Sequence, residues 1–172
     1  MMVKRIAVIG AGASGLVAIK SCIDEDLKPV CFERTHAIGG LWRYTDDIDQ
    51  RGSVTKTTVI NTSKEMMCFS DFPIPADYPN FMHNTKVYQY FKKYADHFEL
   101  NRHIRFKHQV LSVRRAEDFE KTGEWIVEYM NLSDPAKTKT SERFQGVLLC
   151  TGHHAEKREP KFEGQEKFKV GF

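Results

Sequence analysis

The sequence has no long hydrophobic run, no block of like charge and no closely spaced pair of cysteines. Without a stretch of about 18 consecutive apolar residues it predicts no transmembrane helix. The first residues, Met1 to Arg5, lack the apolar segment of a signal peptide, and we expect the chain as given to face the cytosol. The 26 Lys and Arg and 23 Asp and Glu residues are spread over the whole length and leave a net charge of +3, which gives no support to nucleic-acid binding.

Cysteine and histidine are also poorly placed for a metal site. The four cysteines are Cys22, Cys31, Cys68 and Cys150. Because none of them has CxxC spacing, we expect small core residues rather than ligands or disulfides. His153 and His154 are adjacent, and neighbouring side chains on an extended segment point in opposite directions. With no second ligand pair at the spacing of a tetrahedral site, the sequence predicts no bound metal.

What is present is a composition typical of a globular domain, with 41% hydrophobic and 28% charged residues in a chain of 172. Arg5 to Ile9 is a short, almost continuous apolar run, typical of a parallel strand that is covered on both faces. From Ser14 the apolar residues recur at helical spacing, and a second strand, Val30 to Phe32, ends at Glu33. This order predicts an α/β fold that begins with a βαβ unit.

The turn between the first strand and the first helix carries a GxGxxG motif, with glycines at Gly10, Gly12 and Gly15. The first glycine can make the tight turn, the second lets the backbone approach a pyrophosphate, and the third lets the helix pack closely on the strand. The N-terminus of the helix adds free N–H groups and a partial positive charge. The motif alone is a weak signal, but its place between a strand and a helix predicts dinucleotide binding.

Glu33 is the acidic partner of this motif. It follows Gly15 by 18 residues, near the spacing of about 20 at which an acidic residue accepts hydrogen bonds from a ribose 2′-OH. A carboxylate at that place repels a 2′-phosphate. The site therefore favours the adenosine half of FAD or NAD over NADP.

The rest of the chain predicts further elements around this unit. A stretch with Pro73, Pro75 and Pro79 lacks periodicity, and a loop of this length is usually functional. Asn84 is predicted to cap an amphipathic helix that ends near Phe98 and packs its aromatic residues in the core.

Several short strands are predicted after this helix. Ile104 to Phe106, Val110 to Val113 and Trp125 to Tyr129 are expected to form an antiparallel side sheet. Phe144 to Cys150 has a buried-strand pattern that ends at Thr151 and Gly152, and we expect this strand to return to the parallel sheet.

A second glycine pair follows Glu33 in Gly39-Gly40-Leu41-Trp42 and indicates another close backbone approach to a bound ligand. With this motif the sequence resembles the flavin-containing monooxygenases, class B flavoproteins of the dimethylaniline monooxygenase type. The resemblance covers most of the chain, from about Lys4 to Gly152. Five segments carry it in order: GAGASG at 10–15, CFER at 31–34, GGLWR at 39–43, INTSKEMMCFSDFPIP at 60–75 and LCTGHH at 149–154.

The resemblance implies a Rossmann-like FAD-binding domain with an antiparallel β side sheet, as the N-terminal portion of a flavoprotein with two dinucleotide-binding domains. It also implies a set of FAD-binding residues. They are Gly10, Ala11, Gly12, Ala13, Ser14, Gly15, Glu33, Arg34, Gly40, Leu41, Trp42, Asn61 and Thr62. Asn61 is implied to be catalytic, near the flavin and the nicotinamide, where it stabilises the oxygenated flavin. From the residues alone, Asn61 is also compatible with an ordinary turn.

The chemistry implied by the resemblance belongs to the cofactors. NADPH reduces FAD, O2 adds to give a C4a-hydroperoxyflavin, and a soft nucleophilic amine or sulfide takes the distal oxygen. The protein then supplies position, hydrogen bonds and exclusion of water, so no acid–base triad is expected. The resemblance further implies that full-length animal members are attached to the cytosolic face of the endoplasmic reticulum membrane by a C-terminal tail, which this sequence lacks.

The sequence departs from the family pattern after Gly152. We expect residues 1–152 to form an incomplete FAD-binding domain and residues 153–172 a linker-like tail towards an NADPH-binding domain, whose own glycine motif is absent. One hypothesis is an N- or S-oxygenating enzyme, with Baeyer–Villiger chemistry left open. Another is a truncated, non-catalytic product that at most binds FAD and associates with full-length subunits. A third, half of an NAD-binding dehydrogenase, leaves the segments at Gly39 and Asn61 unexplained.

Overall fold

The computed structural model describes residues 3–47, 52–153, 158 and 160–167. Its strands are β1 (Arg5–Ile9), β2 (Lys28–Glu33), β3 (Ile104–Phe106), β4 (His108–Arg115), β5 (Trp125–Asn131), β6 (Lys139–Phe144) and β7 (Gly146–Leu149). Its helices are α1 (Ala13–Asp24), α2 (Lys64–Met67), α3 (Asn84–His97) and α4 (Phe119–Thr122), with short 3-10 turns at Gly40–Trp42, Leu100–His103 and Gln165–Lys167.

A parallel sheet with the strand order β3-β2-β1-β7 forms the middle layer. Successive side chains of a strand point to opposite faces, and both faces are covered at β1 and β2. The burial predicted for the strand before Thr151 is wrong for β7, where Leu148 and Leu149 are exposed. Val8 and Cys31 pack with α1 and α3 on one side, whereas Ala7 and Phe32 pack against the second sheet on the other. The almost continuous apolar sequence of β1 follows from this burial on both faces. The predicted α/β class and the parallel sheet are confirmed.

A second, antiparallel sheet with the order β4-β5-β6 covers the far face of the parallel sheet. Val127 and Phe144 are fully buried between the two sheets, and the ring of Phe144 meets that of Phe32 edge to face. The predicted side sheet is therefore present. The return of the strand after Phe144 to the parallel sheet is confirmed, because β7 pairs with β1, with Val8 opposite Leu148.

Two strand assignments from the sequence were wrong. Ile104 to Phe106 belongs to the parallel sheet, with Cys31 opposite Ile104, and not to the side sheet. Lys107 has a φ of 56°, and the chain changes direction there before β4 begins. The predicted strand from Phe144 to Cys150 is two strands, since Phe144 ends β6 and β7 starts at Gly146.

Helix α3 was predicted with the right face but the wrong cap. Val87, Tyr90, Phe91, Tyr94 and Ala95 are buried as expected. His83 is the N-cap, and its imidazole accepts a hydrogen bond from the Thr85 backbone N–H. Asn84 is the first helical residue, and its side chain is turned into the protein. The sequence pattern could not distinguish these two neighbours because both residues have side chains that accept hydrogen bonds.

An ion cluster joins the two sheets at one end. Glu142 of β6 lies 2.5 Å from Arg5 of β1 and 2.5 Å from Arg105 of β3, and it also accepts a hydrogen bond from the Tyr129 hydroxyl at 2.5 Å. Partial burial by itself raises the pKa of Glu142, but the hydrogen bonds from Arg105, Tyr129 and Arg5 outweigh it and lower that pKa to about 2. The ionised carboxylate therefore stabilises the contact between the sheets.

We predict that Glu142→Gln lowers the free energy of unfolding by about 2 kcal/mol at pH 7, because several hydrogen bonds to a charged group are weakened together. Since the pKa of Glu142 is lowered in the folded state, its contribution is complete above its ordinary pKa of 4.5 and is lost as the pH falls towards about 2. Urea unfolding of both proteins between pH 7 and pH 2.5 measures the effect. The difference should stay constant above pH 4.5 and shrink as the pH falls from there to 2.5.

The matched control is Glu120→Gln, at a side chain that is 88% exposed and 3.8 Å from Arg115. An exposed pair of this kind contributes little, so the control should unfold within about 0.5 kcal/mol of the parent protein. Equal effects of the two substitutions at pH 7 would contradict a stabilising role for the cluster.

Candidate functional site

A cavity of about 520 Å³ opens at the carboxyl ends of β1, β2 and β7. This is the end of a parallel α/β sheet at which ligands usually bind. Most of the predicted site residues line it together: Gly10, Gly12, Ala13, Ser14, Glu33, Arg34, Gly40, Leu41 and Trp42. The fold therefore brings the two glycine motifs and the acidic residue of the sequence to one place.

The first glycine loop is built from close backbone contacts. Gly10 has a φ of 101°, and a Cβ there would lie 2.5 Å from the carbonyl oxygen of Cys150. A Cβ at Gly15 would lie 1.9 Å from the carbonyl oxygen of Gly10, so the start of α1 sits directly on the loop. The predicted roles of these two glycines in the turn and in helix packing match this geometry.

The first turn of α1 presents backbone donors to the cavity. Gly12 is the N-cap and has no side chain to accept from the N–H groups that follow. Ala13 and Ser14 line the cavity, and their N–H groups precede the first intrahelical hydrogen bond, from Leu16 to Gly12 at 3.0 Å. These donors and the helix dipole make a cradle for an anion.

Glu33 is buried, with 7% of its surface exposed, and it joins this loop to the end of β2. One carboxylate oxygen accepts from the Ala11 N–H at 2.9 Å. The other accepts from the N–H and the hydroxyl of Thr35, both at 2.8 Å. A carboxylate offers about four acceptor positions, so Glu33 keeps capacity for a ligand hydroxyl. The predicted contact of Glu33 with a ribose stays a prediction.

The second glycine pair packs on the first loop. Gly39 has a φ of 106° and donates its N–H to the Ala11 carbonyl at 2.9 Å, and a Cβ there would lie 2.7 Å from the Tyr88 ring. A Cβ at Gly40 would lie 3.0 Å from the Cα of Gly12. The close backbone contacts of this glycine pair are thus made to other parts of the protein. The same turn places Leu41 in the cavity wall.

Ala11 and Gly15 complete the predicted set at this loop without lining the cavity, because both are buried under it. Cys31 also lies beneath it, with its thiol 3.6 Å from the Gly10 carbonyl, and burial raises the pKa of that thiol. The four cysteines are free, and Cys22 and Cys31 are buried. The prediction that cysteine serves here as a small core residue agrees with this placement.

One wall of the cavity comes from β4 and from the chain after β7, and neither was predicted to line it. His108, Gln109 and Val110 line the cavity from the start of β4. The segment from Cys150 to His153 lines it as well, although Thr151 and Gly152 were predicted only as the exit from a strand. His108 to Val110 carry no motif, and only the pairing of the sheets brings them near the glycine loops. Cys150 to His153 belong to the LCTGHH segment of the family resemblance but were given no role in the site. His154, in the last segment of the family resemblance, lies outside the described residues.

A smaller cavity of about 420 Å³ adjoins this wall, where β2 ends near the turn before β4. It is lined by Arg34, Thr35, His36, Lys107, Gln109 and Leu132. Lys107 is held there by a hydrogen bond from its N–H to the Thr35 carbonyl at 2.8 Å. The basic side chains give this end of the site a positive charge.

Asn61 and Thr62 are not part of the cavity lining. The side chain of Asn61 is exposed, and Thr62 is half-buried. Their segment is held from the other side: Ile60 donates to the Met82 carbonyl at 3.0 Å, and Phe81 donates to the Thr62 carbonyl at 3.3 Å. The structure therefore does not bring the predicted catalytic residue to the glycine loops, and its role stays a prediction.

The described part of the chain offers neither a metal cluster nor a membrane-spanning helix. It holds no group of three or more His, Cys, Asp or Glu side chains arranged for a metal ion. No helix within it is both long enough and apolar enough to cross a membrane.

Known proteins with similar sequences are flavin-dependent oxygenases. Flavin-containing monooxygenase 5 of Oryctolagus cuniculus is 54% identical over 169 residues, which are 96% of this chain and 31% of that protein. The human protein of the same name is 52% identical over 172 residues, 98% of this chain and 32% of that protein. The chain thus spans about a third of the length of these curated relatives.

Solved structures show the same fold. The S-allyl-L-cysteine S-oxygenase of Allium sativum matches with a TM-score of 0.78 and 26% identity, over 93% of this chain and 39% of that one. The cyclohexanone monooxygenase of Rhodococcus sp. Phi1, solved with NADP+, matches with a TM-score of 0.69 and 23% identity, over 97% of this chain and 29% of that one.

The family described as flavin-binding monooxygenase-like matches residues 3–172, almost the whole sequence. Its match agrees with the glycine loops and the acidic residue that meet in the cavity. The chain belongs to the flavin-binding monooxygenase-like family.

Proposed function

We propose that this chain is the FAD-binding part of a flavin-containing monooxygenase that uses NADPH and O2 to oxygenate soft nucleophilic nitrogen or sulfur centres. The single observation that carries the proposal is the cavity in which the N-terminus of α1, Glu33 and the Gly40–Trp42 turn share one wall. Residues 1–152 form this part, and residues 153–172 lead towards an NADPH-binding region. Residues 154–157, 159 and 168–172 of that tail lie outside the described residues.

The residues of the cavity fit the parts of FAD in order. The N–H groups of Ala13 and Ser14 are the candidates to hold the pyrophosphate, because they end at the positive pole of α1. Glu33 is the candidate acceptor for a ribose hydroxyl. Leu41 and Trp42 offer apolar surface to the remainder of the cofactor. When bound, FAD would supply the redox and oxygen chemistry, which no side chain supplies.

Asn61 is the proposed polar contact to the reactive end of the cofactor, with Thr62 beside it. The side chain of Asn61 is exposed, so a bound cofactor can reach it. Its segment continues into α2, which Ser63 caps by accepting from the Met66 N–H at 3.4 Å. Asn61 thus follows Ile60, whose backbone is hydrogen-bonded to Met82, and precedes the capped helix α2. Both neighbours constrain its backbone.

We predict that the purified chain binds FAD saturably, with quenching of flavin fluorescence, and that it does not oxidise NADPH alone. Titration with FAD measures the first expectation, and NADPH absorbance at saturating FAD measures the second. Absence of saturable binding would refute the proposal for this chain. Rapid NADPH oxidation would refute the assignment of the NADPH site to another part of the protein.

A substitution in the first turn of α1 tests the pyrophosphate cradle. Ser14 is exposed and lines the cavity, so Ser14→Asp places a carboxylate beside the donors without disturbing the core. An acid in the first turn stabilises a helix, so the fold should be kept or strengthened. Repulsion between the carboxylate and the pyrophosphate should weaken FAD binding by about tenfold or more, on the order of 1.4 kcal/mol.

Ser21→Asp is the matched control, since Ser21 is an exposed residue of the same helix and does not line the cavity. It introduces the same charge and should leave FAD affinity within about twofold of the parent value. Equal affinities of the Ser14 and Ser21 variants would show that FAD, if bound, does not place its pyrophosphate at α1.

A further inference from the structure

Asn84 is buried deeply for a polar residue, with 1% of its surface exposed. Among the described residues, Asn84 and Glu33 are the buried polar or charged side chains. Buried polar groups cost free energy unless they are hydrogen-bonded, so each needs partners inside the protein. Because His83 provides the cap of α3, the amide of Asn84 is not used to cap its own helix.

The amide of Asn84 is used to hold a turn from another part of the chain. Its Nδ2 lies within donating distance of three carbonyl oxygens, those of Thr55 at 3.1 Å, Lys56 at 3.3 Å and Thr58 at 3.1 Å. The backbone N–H of Asn84 also donates to the Thr58 carbonyl at 2.9 Å. Carbonyl oxygens that converge in this way repel one another, and the buried amide donor between them offsets that repulsion.

Further hydrogen bonds within the turn and from His83 stabilise the same turn. Thr58 donates its N–H to the Thr55 carbonyl at 3.1 Å, and the two threonine hydroxyls are 2.8 Å apart. His83 accepts from the Thr85 N–H through Nδ1, so its Nε2 carries the proton and donates to the Lys56 carbonyl at 3.0 Å. The turn is therefore bound to the N-terminus of α3 as one unit.

Along the chain, this turn lies between residues of the cavity wall and the proposed catalytic residue Asn61. On its N-terminal side, Val54 donates to the Leu41 carbonyl at 3.0 Å, and Gly52 lines the cavity. On its C-terminal side, Ile60 is bound to Met82, and Asn61 follows directly. The chain that connects the cavity wall to Asn61 thus runs through the turn that Asn84 holds.

We propose that Asn84 is a positioning residue: its amide fixes the Thr55–Thr58 turn and thereby sets where Asn61 and Thr62 stand relative to the bound cofactor. This role rests on the function proposed above. It differs from simple stabilisation of α3, because that helix is capped by His83 and held by the buried face that includes Val87.

The test compares Asn84→Ala with Asn61→Ala and the double variant in the whole chain loaded with FAD. The readout is the visible absorption spectrum of the bound flavin, together with FAD affinity. Loss of the amide should change the spectrum in the same direction as loss of Asn61 and weaken FAD binding by about tenfold. The double variant should show little further change, since both substitutions act on one contact.

Val87→Ala is the matched control, because Val87 is fully buried in the same helix and makes none of these hydrogen bonds. It should lower the melting temperature and leave the spectrum of bound flavin unchanged. Asn84→Ser, with a small hydroxyl donor, is the second variant if Asn84→Ala does not fold, and its spectrum should shift in the same direction.

The outcomes separate the two proposals. A parent chain that binds no FAD refutes the proposed function, and the role of Asn84 falls with it. A parent chain that binds FAD, with Asn84 variants whose flavin spectrum matches the parent or the Val87 control, refutes the role of Asn84 alone. Additive spectral changes in the double variant would also overturn it.

Discussion

The site depends on one buried carboxylate. Glu33 sits at the end of β2 with 7% of its surface exposed, and a charge in that position is tolerated only if hydrogen bonds replace its hydration. Those hydrogen bonds come from Ala11 in the first glycine loop and from Thr35 in the chain that leaves the strand. The carboxylate therefore fixes the loop at one side of the cavity and the exit of β2 at the other. The cavity keeps its shape because both are tied to the same group.

The second glycine turn and the turn held by Asn84 extend this arrangement outwards. Gly39 donates to the carbonyl of Ala11, the residue whose N–H is bound to Glu33, so the second turn and Glu33 are both attached to the same residue of the first loop. Leu41 then accepts from Val54, which starts the segment that Asn84 holds. A chain of backbone contacts runs from the end of β2 to Asn61. Two buried polar side chains support it: Glu33 at its start, and Asn84 at the Thr55–Thr58 turn that precedes Asn61.

The parts of the fold that were predicted correctly are those determined by residues close together in the chain. Strand β1, helix α1 and the apolar face of α3 follow from hydrophobic periods within a few residues, and the glycine loop follows from a motif with a steric cause. Strand β3 was placed in the wrong sheet, because its pairing with β2 depends on residues some 70 positions away and on the positive φ of Lys107. The mostly polar β6 was missed since its neighbours, not its own pattern, make it a strand. In the site, His108 and Gln109 could not be predicted for the same reason.

The electrostatics of the cavity decide which nucleotide fits it. The positive end of α1 attracts a pyrophosphate, and the exposed Arg34 adds positive charge at the rim. Glu33 lies between them. Its carboxylate accepts hydrogen bonds from the protein and can accept a further one from a ligand hydroxyl. A phosphate at that hydroxyl would face the carboxylate where little water can screen the two charges. A nucleotide with a 2′-phosphate is therefore disfavoured in this cavity, which supports the proposal that the cavity holds the adenosine half of FAD.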